Sequence, residues 1–455
     1  MPCAVDRRSE HAGQNVQTVR FPRAATASSH RTRRWDVMRV DVYVERIAGI
    51  DIGKATLSVT IRVPQPGSNR RRQSTRTYPT MTGALATMAD WLAAEGITRV
   101  VMEATCDYWK PVYYLLEAAA CFEVWLVNAY HVKGVPGRRK SDNIDSAWLA
   151  KVGECELVRP SFVPPQPIRE LRDLTRYRTS LVRDRTRIAQ RLEKMLEDAG
   201  IKLTVVASEI LGASSRAIIG ALVDGERDPG VLAELAKARL RNKRRELVEA
   251  LSGRFSDHHG FLCRQMLHRI AALDEETSIM DAEIERVTET YRPRITQLIS
   301  VPGISDITAR RLIAEIGVDM NVFPTPQHLS AWAAMAPRPR SSAGKTKHGS
   351  TGKGNRHLAG VLGEIVATIA RGNTFIGARH RRLAARRGKR RAIVATSRHL
   401  LTIIWHLLHD PTRTTLFNDL GPDYHLTRTD PAKRTRNLIH QLEQLGHKVT
   451  LETAA

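Results

Sequence analysis

From Val40 to about Glu154 the apolar positions switch repeatedly between a period of two and a period near 3.6. RIAGIDIG and ATLSVTIRV read as a hairpin-like strand pair, and RQSTRTYPT as a third strand. TGALATMADWLAAEG has helical spacing and closes at Gly96, and TRVVMEA is a short buried strand. WKPVYYLLEAAA is a helix with Pro111 in its first turn, CFEVWLVNA is a fifth strand, and RRKSDNIDSAWL leads into a last helix. Three strands followed by helix–strand–helix–strand–helix predict a mixed α/β layer.

PSFVPPQP (160–167) breaks the pattern and marks a linker. The next segment carries Leu171, Leu174, Leu181, Ile188, Leu192 and Met195 as one stripe among many arginines, the signature of a long helix. Residues 267–291 supply a plausible partner stripe in Ile270, Leu273, Met280, Ile284 and Val287. Either ordinary bundle core or a coiled coil between subunits accounts for both stripes. VPGISDITARRLIAEIG resembles a helix–hairpin–helix, whose turn amides can approach a phosphate. A basic Gly/Ser-rich loop, APRPRSSAGKTKHGSTGKGNRHL, and two apolar helices follow it. The expected organisation is a leader at 1–39, an α/β domain at 40–159, a helical spacer at 160–294, a mainly helical domain at 295–410 and a polar tail at 411–455.

Charge narrows the partner. The 455 residues include 71 Lys and Arg against 47 Asp and Glu, a formal net charge of +24. An excess of that size favours a polyanion held by salt-sensitive phosphate contacts. No apolar run approaches the ~20 residues of a membrane span. The best candidate, PVYYLLEAAACFEVWLVNAY, is broken by Glu117 and Glu123, so no membrane partner is expected. The five cysteines are scattered without a CxxC pair, against a zinc ribbon or a disulfide scaffold and in keeping with a reducing cytoplasm. The first 37 residues are polar, Arg-rich and without period, as in a disordered leader, and Met38 is an alternative start.

The chemistry lies in the acids. Asp142 and Asp145 follow Arg138, Arg139 and Lys140, and on their own read first as a helix cap and first-turn charge. A metal nuclease needs several carboxylates converging from separate elements. The first strand supplies Asp51 and the fourth ends on Glu103, while i, i+3 spacing keeps Asp142 and Asp145 on one helix face. In a ribonuclease-H-like sheet the first and fourth strands are neighbours, and the first turn of the last helix faces them. Asp51 in GIDIGK also fits the phosphate loop of actin-like ATPases and sugar kinases, but the further Gly-rich segments of that fold are missing. Only the set of four carries weight.

That quartet, the phrase GRRKSDNIDSAWLAKV and the later VPGISDITARRLIAEIG…RSSAGK…GKGN together resemble insertion-sequence transposases of family one hundred and ten. These are DEDD transposases with a RuvC-like domain, and the similarity runs from about residue 45 to 410. The resemblance implies a RuvC/ribonuclease-H-like α/β domain, and four acids that bind Mg2+. It implies a serine nucleophile in the C-terminal domain, and a structured non-coding bridge RNA that selects donor and target DNA. The family's Ser-Gly step maps onto Ser342, with Ser341 beside it. Ala343 stands where the family usually has Gly, and Ala359 in GNRHLA replaces its usual arginine, a phosphate contact that Arg356 can supply.

Around the serine, Arg338, Arg340 and Lys345 can neutralise phosphates, and Lys353, Arg356, Arg138, Arg139 and Lys140 extend the nucleic-acid-binding set. The expectation is a Mg2+-dependent DNA transposase, homo-oligomeric, cytoplasmic and nucleoid-associated. Two alternatives remain: a metal-only RuvC-like resolvase that uses water, and a nucleic-acid-binding protein without catalysis.

Overall fold

Residues buried on both faces make a central strand, and β1 (Ile47–Ile52) meets that condition along nearly its whole length. In this computed structural model the described residues are 43–104, 106–135, 142–337, 340–342, 345–347, 349, 351–427 and 430–451. The leader at 1–39 lies outside them. The chain divides into two compact units, up to Ser161 and from Phe162 onward.

In the first unit β1 pairs antiparallel with β2 (Thr56–Gln65), which pairs with β3 (Ser68–Pro79). On its other side β1 runs parallel to β4 (Arg99–Glu103), which is parallel to β5 (Glu123–Val127). The order β3-β2-β1-β4-β5 therefore sets the first and fourth strands side by side. α1 (Thr82–Ala94) and α2 (Trp109–Ala118) connect the parallel strands, and a short α3 (Ala129–Lys133) precedes α4 (Asp142–Glu154). This is the mixed α/β sheet that the sequence pattern predicts, in the RuvC-like form that the resemblance implies. Ile47, Val101, Val127, Leu149, Ala150 and Val152 form a core between the sheet and α4. The C-terminal end of α4 is fastened by charge: the carboxylate of Glu154 is 2% exposed and takes Arg62 at 2.7 Å and Arg71 at 2.6 Å.

The second unit is built on α5 (Gln166–Asp198), a helix of 33 residues. After α6 (Leu203–Val206), α7 (Ala213–Val223), α8 (Pro229–Glu234) and α9 (Arg244–Leu251), α10 (Asp257–Thr288) returns along it. Arg178 pairs with Asp281 and Arg185 with Asp274, so the two helices run antiparallel within one chain. α10 begins ten residues before the expected stripe, because Ser256 and His259 cap its first turn. The apolar stripes serve two cores. Leu181, Ile188 and Leu192 pack with Cys263, Ile270 and Leu273 under α6–α9. Ile168, Leu171 and Ile284 join the core of the C-terminal helices.

Those helices are α11 (Arg292–Ile299), α12 (Asp306–Ile316), α13 (Pro326–Trp332), α14 (Arg356–Arg371), α15 (Phe375–Arg387) and α16 (Lys389–His409). β6 (Arg340–Ser342) and β7 (Lys345–Lys347) form a hairpin before α14. α17 (Tyr424–Thr427) and α18 (Pro431–Gln444) lie in the tail. α11 and α12 flank the predicted Gly-containing turn. Gly303 there has φ of 85°, and a Cβ would stand 2.6 Å from Ile369 Cγ1, so no other residue fits. Among the described residues no helix is long and apolar enough to cross a membrane.

One buried carboxylate joins three of these helices. Arg176 on α5 donates from Nε and Nη2 to the two oxygens of Glu315 on α12, at 2.9 and 2.8 Å. Arg172 donates to the carbonyls of Ala314 and Glu315, and Asn355 donates from Nδ2 to the same carboxylate. Asn355 in turn accepts from the amides of His357 and Leu358 and caps α14. Burial pushes the Glu315 carboxyl up, but Arg176, Asn355 and the charge of Arg172 outweigh it and hold the group below its ordinary range.

Glu315→Gln should destabilise the second unit by about 3 kcal/mol in urea unfolding at neutral pH, since two cations lose their partner. A carboxyl depressed in the folded state contributes fully above about pH 4.3, and that contribution disappears as pH falls through the folded value. The loss of stability between pH 5 and pH 3 should accordingly be shallower in the variant than in the parent.

Candidate functional site

Gly49 decides where α4 lies. A Cβ on this residue of β1 would stand 2.1 Å from the carbonyl oxygen of Ser146 and 2.3 Å from the amide of Ala150, so helix backbone rests directly on strand backbone. Further along, a Cβ on Gly153 would meet Val101 Cγ2 at 2.6 Å and Ile47 Cδ1 at 2.9 Å. The helix thus runs opposite to β1, its later residues over Ile47 and its earlier ones over Gly49. Strands advance about 3.3 Å per residue and helices about 1.5 Å, so two residues of β1 match roughly four of α4. The step from Gly49 to Asp51 therefore leads to the first turn of α4, which holds Asp142 and Asp145.

Strand alternation turns Asp51 to the same side as Gly49, toward α4. In the parallel pairing Ile50 stands beside Met102, so Asp51 and Glu103 come next to each other at the carboxyl ends of β1 and β4. Glu103 shares its side with Val101, the residue under Gly153. Asp51, Glu103 and Asp145 are each half-buried. Of Asp142 the helical backbone is described, and its side chain lies outside the described set. Among the described residues no group of three or more His, Cys, Asp or Glu is disposed to hold a metal ion. The donors present are nonetheless of one chemical kind: carboxylate oxygens, which suit a hard divalent cation and not zinc or copper.

Hydroxyl groups that the sequence reading passed over hold this corner together. Ser146 is fully buried, and its Oγ lies 2.8 Å from Thr60 Oγ1 and 3.1 Å from Ser58 Oγ, while Thr60 also reaches Thr75 at 2.8 Å. Ser58 is the register partner of Asp51 and Thr60 that of Gly49. The ladder therefore ties α4 to β2 directly beneath the carboxylates. A signal for it existed in TLSVTI, where Thr56, Ser58 and Thr60 share one face and Leu57, Val59 and Ile61 the other.

Ser341 and Ser342 lie on β6, with Ser341 opposite Thr346 and Ser342 opposite Lys345 across the hairpin. Arg340 faces Lys347, so the two serines of β6 lie within a hairpin that carries three cationic residues, Arg340, Lys345 and Lys347. Side chains of Arg340, Ser341, Ser342 and Lys345 lie outside the described set, as do Arg138, Arg139, Lys140, Arg338 and Ala343 entirely. Lys353 and Arg356 are exposed on either side of Asn355. The GKGN phrase has a structural task as well: Gly354 approaches the carbonyl of Ala333 so closely that a Cβ would stand 2.4 Å away. The carboxylates belong to the first unit and the serine hairpin to the second.

Comparison with known proteins gives matches in both units. A family model for DEDD transposases of IS110, described as a transposase, matches residues 48–201. A second, described as the transposase IS116/IS110/IS902 family, matches residues 295–381. An uncharacterized 42 kDa protein of insertion element IS900 from Mycobacterium paratuberculosis is 26% identical over 299 residues, covering 60% of this chain and 72% of that protein. An uncharacterized 43.6 kDa protein of insertion element IS110 from Streptomyces coelicolor is 28% identical over 148 residues, 31% of this chain and 35% of that protein.

Gly49→Ala should force α4 off the sheet. The expected cost is about 3 kcal/mol of stability in the first unit, at the upper end of ordinary overpacking because both clashing groups are backbone. Hydrogen exchange should report it as faster exchange in α4 and β1 with α5 and α10 unchanged. Unaltered protection in α4 would mean that the helix does not rest on Gly49.

Proposed function

We propose, for a chain that belongs to the IS110 family of insertion-sequence transposases, that it cuts and rejoins DNA by a serine nucleophile working with a carboxylate-bound magnesium ion. The observation that supports this most is the convergence of Asp51 and Glu103 on adjacent strand ends beneath the first turn of α4. We assign Asp51, Glu103, Asp142 and Asp145 as the ligands. Crowded like charges repel, and a divalent cation relieves that repulsion. When bound, magnesium would withdraw charge from the scissile phosphate and make it more electrophilic.

The remaining work falls to the chain's own residues. Ser342 Oγ forms a bond to phosphorus, the bond from phosphorus to one deoxyribose oxygen breaks, and that oxygen leaves as a hydroxyl after taking up a proton. The serine proton passes to solvent or a neighbouring base. A hydroxyl from another strand then displaces the serine, so one phosphodiester is lost and one gained without ATP. Arg338, Arg340 and Lys345 offset the phosphate charge during both steps. Lys353, Arg356, Arg138, Arg139 and Lys140 grip the backbone of the bound nucleic acid.

The same family membership supports a second polyanion, a non-coding RNA of the element that selects donor and target DNA. A net charge of +24 accommodates both. We take the working form to be a homo-oligomer, dimer or tetramer, acting on the nucleoid.

Cleavage trapped before rejoining should leave DNA covalently attached to the protein, and digestion should yield a phosphorylated peptide containing Ser341 and Ser342. Ser342→Ala should lose adduct and recombination while still binding DNA. A metal-only resolvase predicts no adduct and near-normal cleavage by Ser342→Ala; loss of the adduct only in Ser341→Ala moves the nucleophile by one residue. Asp145→Asn should abolish strand cleavage, the apo form being at least as stable as the parent in thermal unfolding. Cleavage at the parental rate by Asp145→Asn would remove that residue from the metal site.

A further inference from the structure

The cations of the second unit fall into two classes. Along α5 several are neutralised, Arg176 by Glu315, Arg178 by Asp281 and Arg185 by Asp274. Between Arg371 and Arg398 the chain carries ten Lys and Arg and no Asp or Glu. Among the described residues none of these ten is in an ion pair with a carboxylate, and Glu364, the nearest acid before them, is taken by Arg311.

The densest part is a corner. α15 ends in Arg386 and Arg387, Gly388 turns the chain with φ of 81°, and α16 opens with Lys389, Arg390 and Arg391, all five cations exposed. α16 has neither a side-chain cap nor an acid in its first turn. Three cations at the positive end of a helix dipole repel it and weaken the free fold, and an anion bound there removes the conflict. The corner is also held in place: Arg381 Nη1 donates to the carbonyls of Ala370 and Gly372 at 3.1 and 2.8 Å, locking α15 to the end of α14.

Beside the corner lies an open groove of about 350 Å³ between α14, α15 and α16. Gly363, Ala367 and Ala370 line its α14 side, with Arg381 and Lys389 on the others. A Cβ added at Gly363 would meet nothing within 4 Å, so a bulky chain can come close to this side. No exposed aromatic stands on α15 or on the first half of α16. Unpaired bases would find no stacking platform, and the contact chemistry is charge directed at phosphate.

We propose that the α15–α16 corner is a clamp for the sugar-phosphate backbone of double-stranded nucleic acid, gripping it without reading sequence. The proposal rests on the reading of the chain as a recombinase and adds to it a surface outside the carboxylate and serine regions.

The test is duplex binding by the full chain across a salt series, with DNA and RNA duplexes of equal length. Replacing Arg386, Arg387, Arg390 and Arg391 together by Gln should weaken binding at least tenfold. It should also make the log–log salt slope shallower by about 3, as expected when three or four phosphate contacts disappear. The melting temperature should hold or rise, because the repulsion at the start of α16 is gone; a merely structural role predicts a fall. The fourfold Arg→Lys variant should keep the parental slope. Gln at Arg239, Arg241, Lys243 and Arg245, exposed cations just before and at the start of α9, removes equal charge and should do much less. A greater loss with one duplex type identifies the polymer held. An unchanged slope, or an equal loss in the control set, overturns the clamp while the recombinase reading stands. A parent that bound no duplex at all would overturn both.

Discussion

Backbone resting on backbone at Gly49 is the constraint from which the architecture of the first unit follows. A helix normally stands about 10 Å from a sheet because side chains intervene; here Ser146 and Ala150 lie against a strand residue without a Cβ. That closeness buries Ser146 completely and brings it within reach of Thr60 and Ser58. It also limits sliding, since movement along β1 would drive the side chain of Ile47 or Asp51 into the helix backbone or strip the hydroxyl ladder of its partners. The opposite end of α4 is held by Glu154 between two arginines. Fixed at the middle and at one end, the helix has its first turn directed to the ends of β1 and β4.

An analogous economy governs the second unit, with charge in place of close approach. Glu315 is buried among groups that would be costly if any one were missing, and through Asn355 it ties the start of α14 to α5 and α12. The β6–β7 hairpin precedes that cap by only a few residues. A rigid start to α14 therefore fixes one root of the segment that carries the serines. The glycines of GKGN and the asparagine after them look, in sequence, like loop chemistry for gripping phosphate. In the fold Gly354 and Asn355 are a close-packed turn and a helix cap, with Lys353 and Arg356 exposed on either side of the asparagine.

Net charge alone therefore misstates where a polyanion can bind. Among the eight arginines of α5, Arg176, Arg178 and Arg185 face carboxylates of α12 and α10. The corner between α15 and α16, where acids are absent for dozens of residues, keeps its field directed outward. The two stretches hold similar numbers of Lys and Arg, nine in α5 and ten from Arg371 to Arg398, and the acids within and around α5 distinguish them.

Local pattern was sufficient for the elements of the first unit, while the β6–β7 hairpin, which the sequence reads as a loop, was not marked by any period. Periods of two and 3.6, with Gly96, Pro111 and the Pro-rich break at 160–167 as punctuation, yielded five strands and their helices in order, because those signals act between residues close in sequence. The ordered motifs were likewise legible, and they carried the family. The register of α4 on β1, the hydroxyl ladder around Ser146, the Glu315 junction and the pairing of the two long stripes within one chain were decided by tertiary structure alone. Each depends on groups separated by 80 residues or more. Which polar residue on a strand or helix turns inward to meet another is set by packing across that distance, and no local periodicity records it.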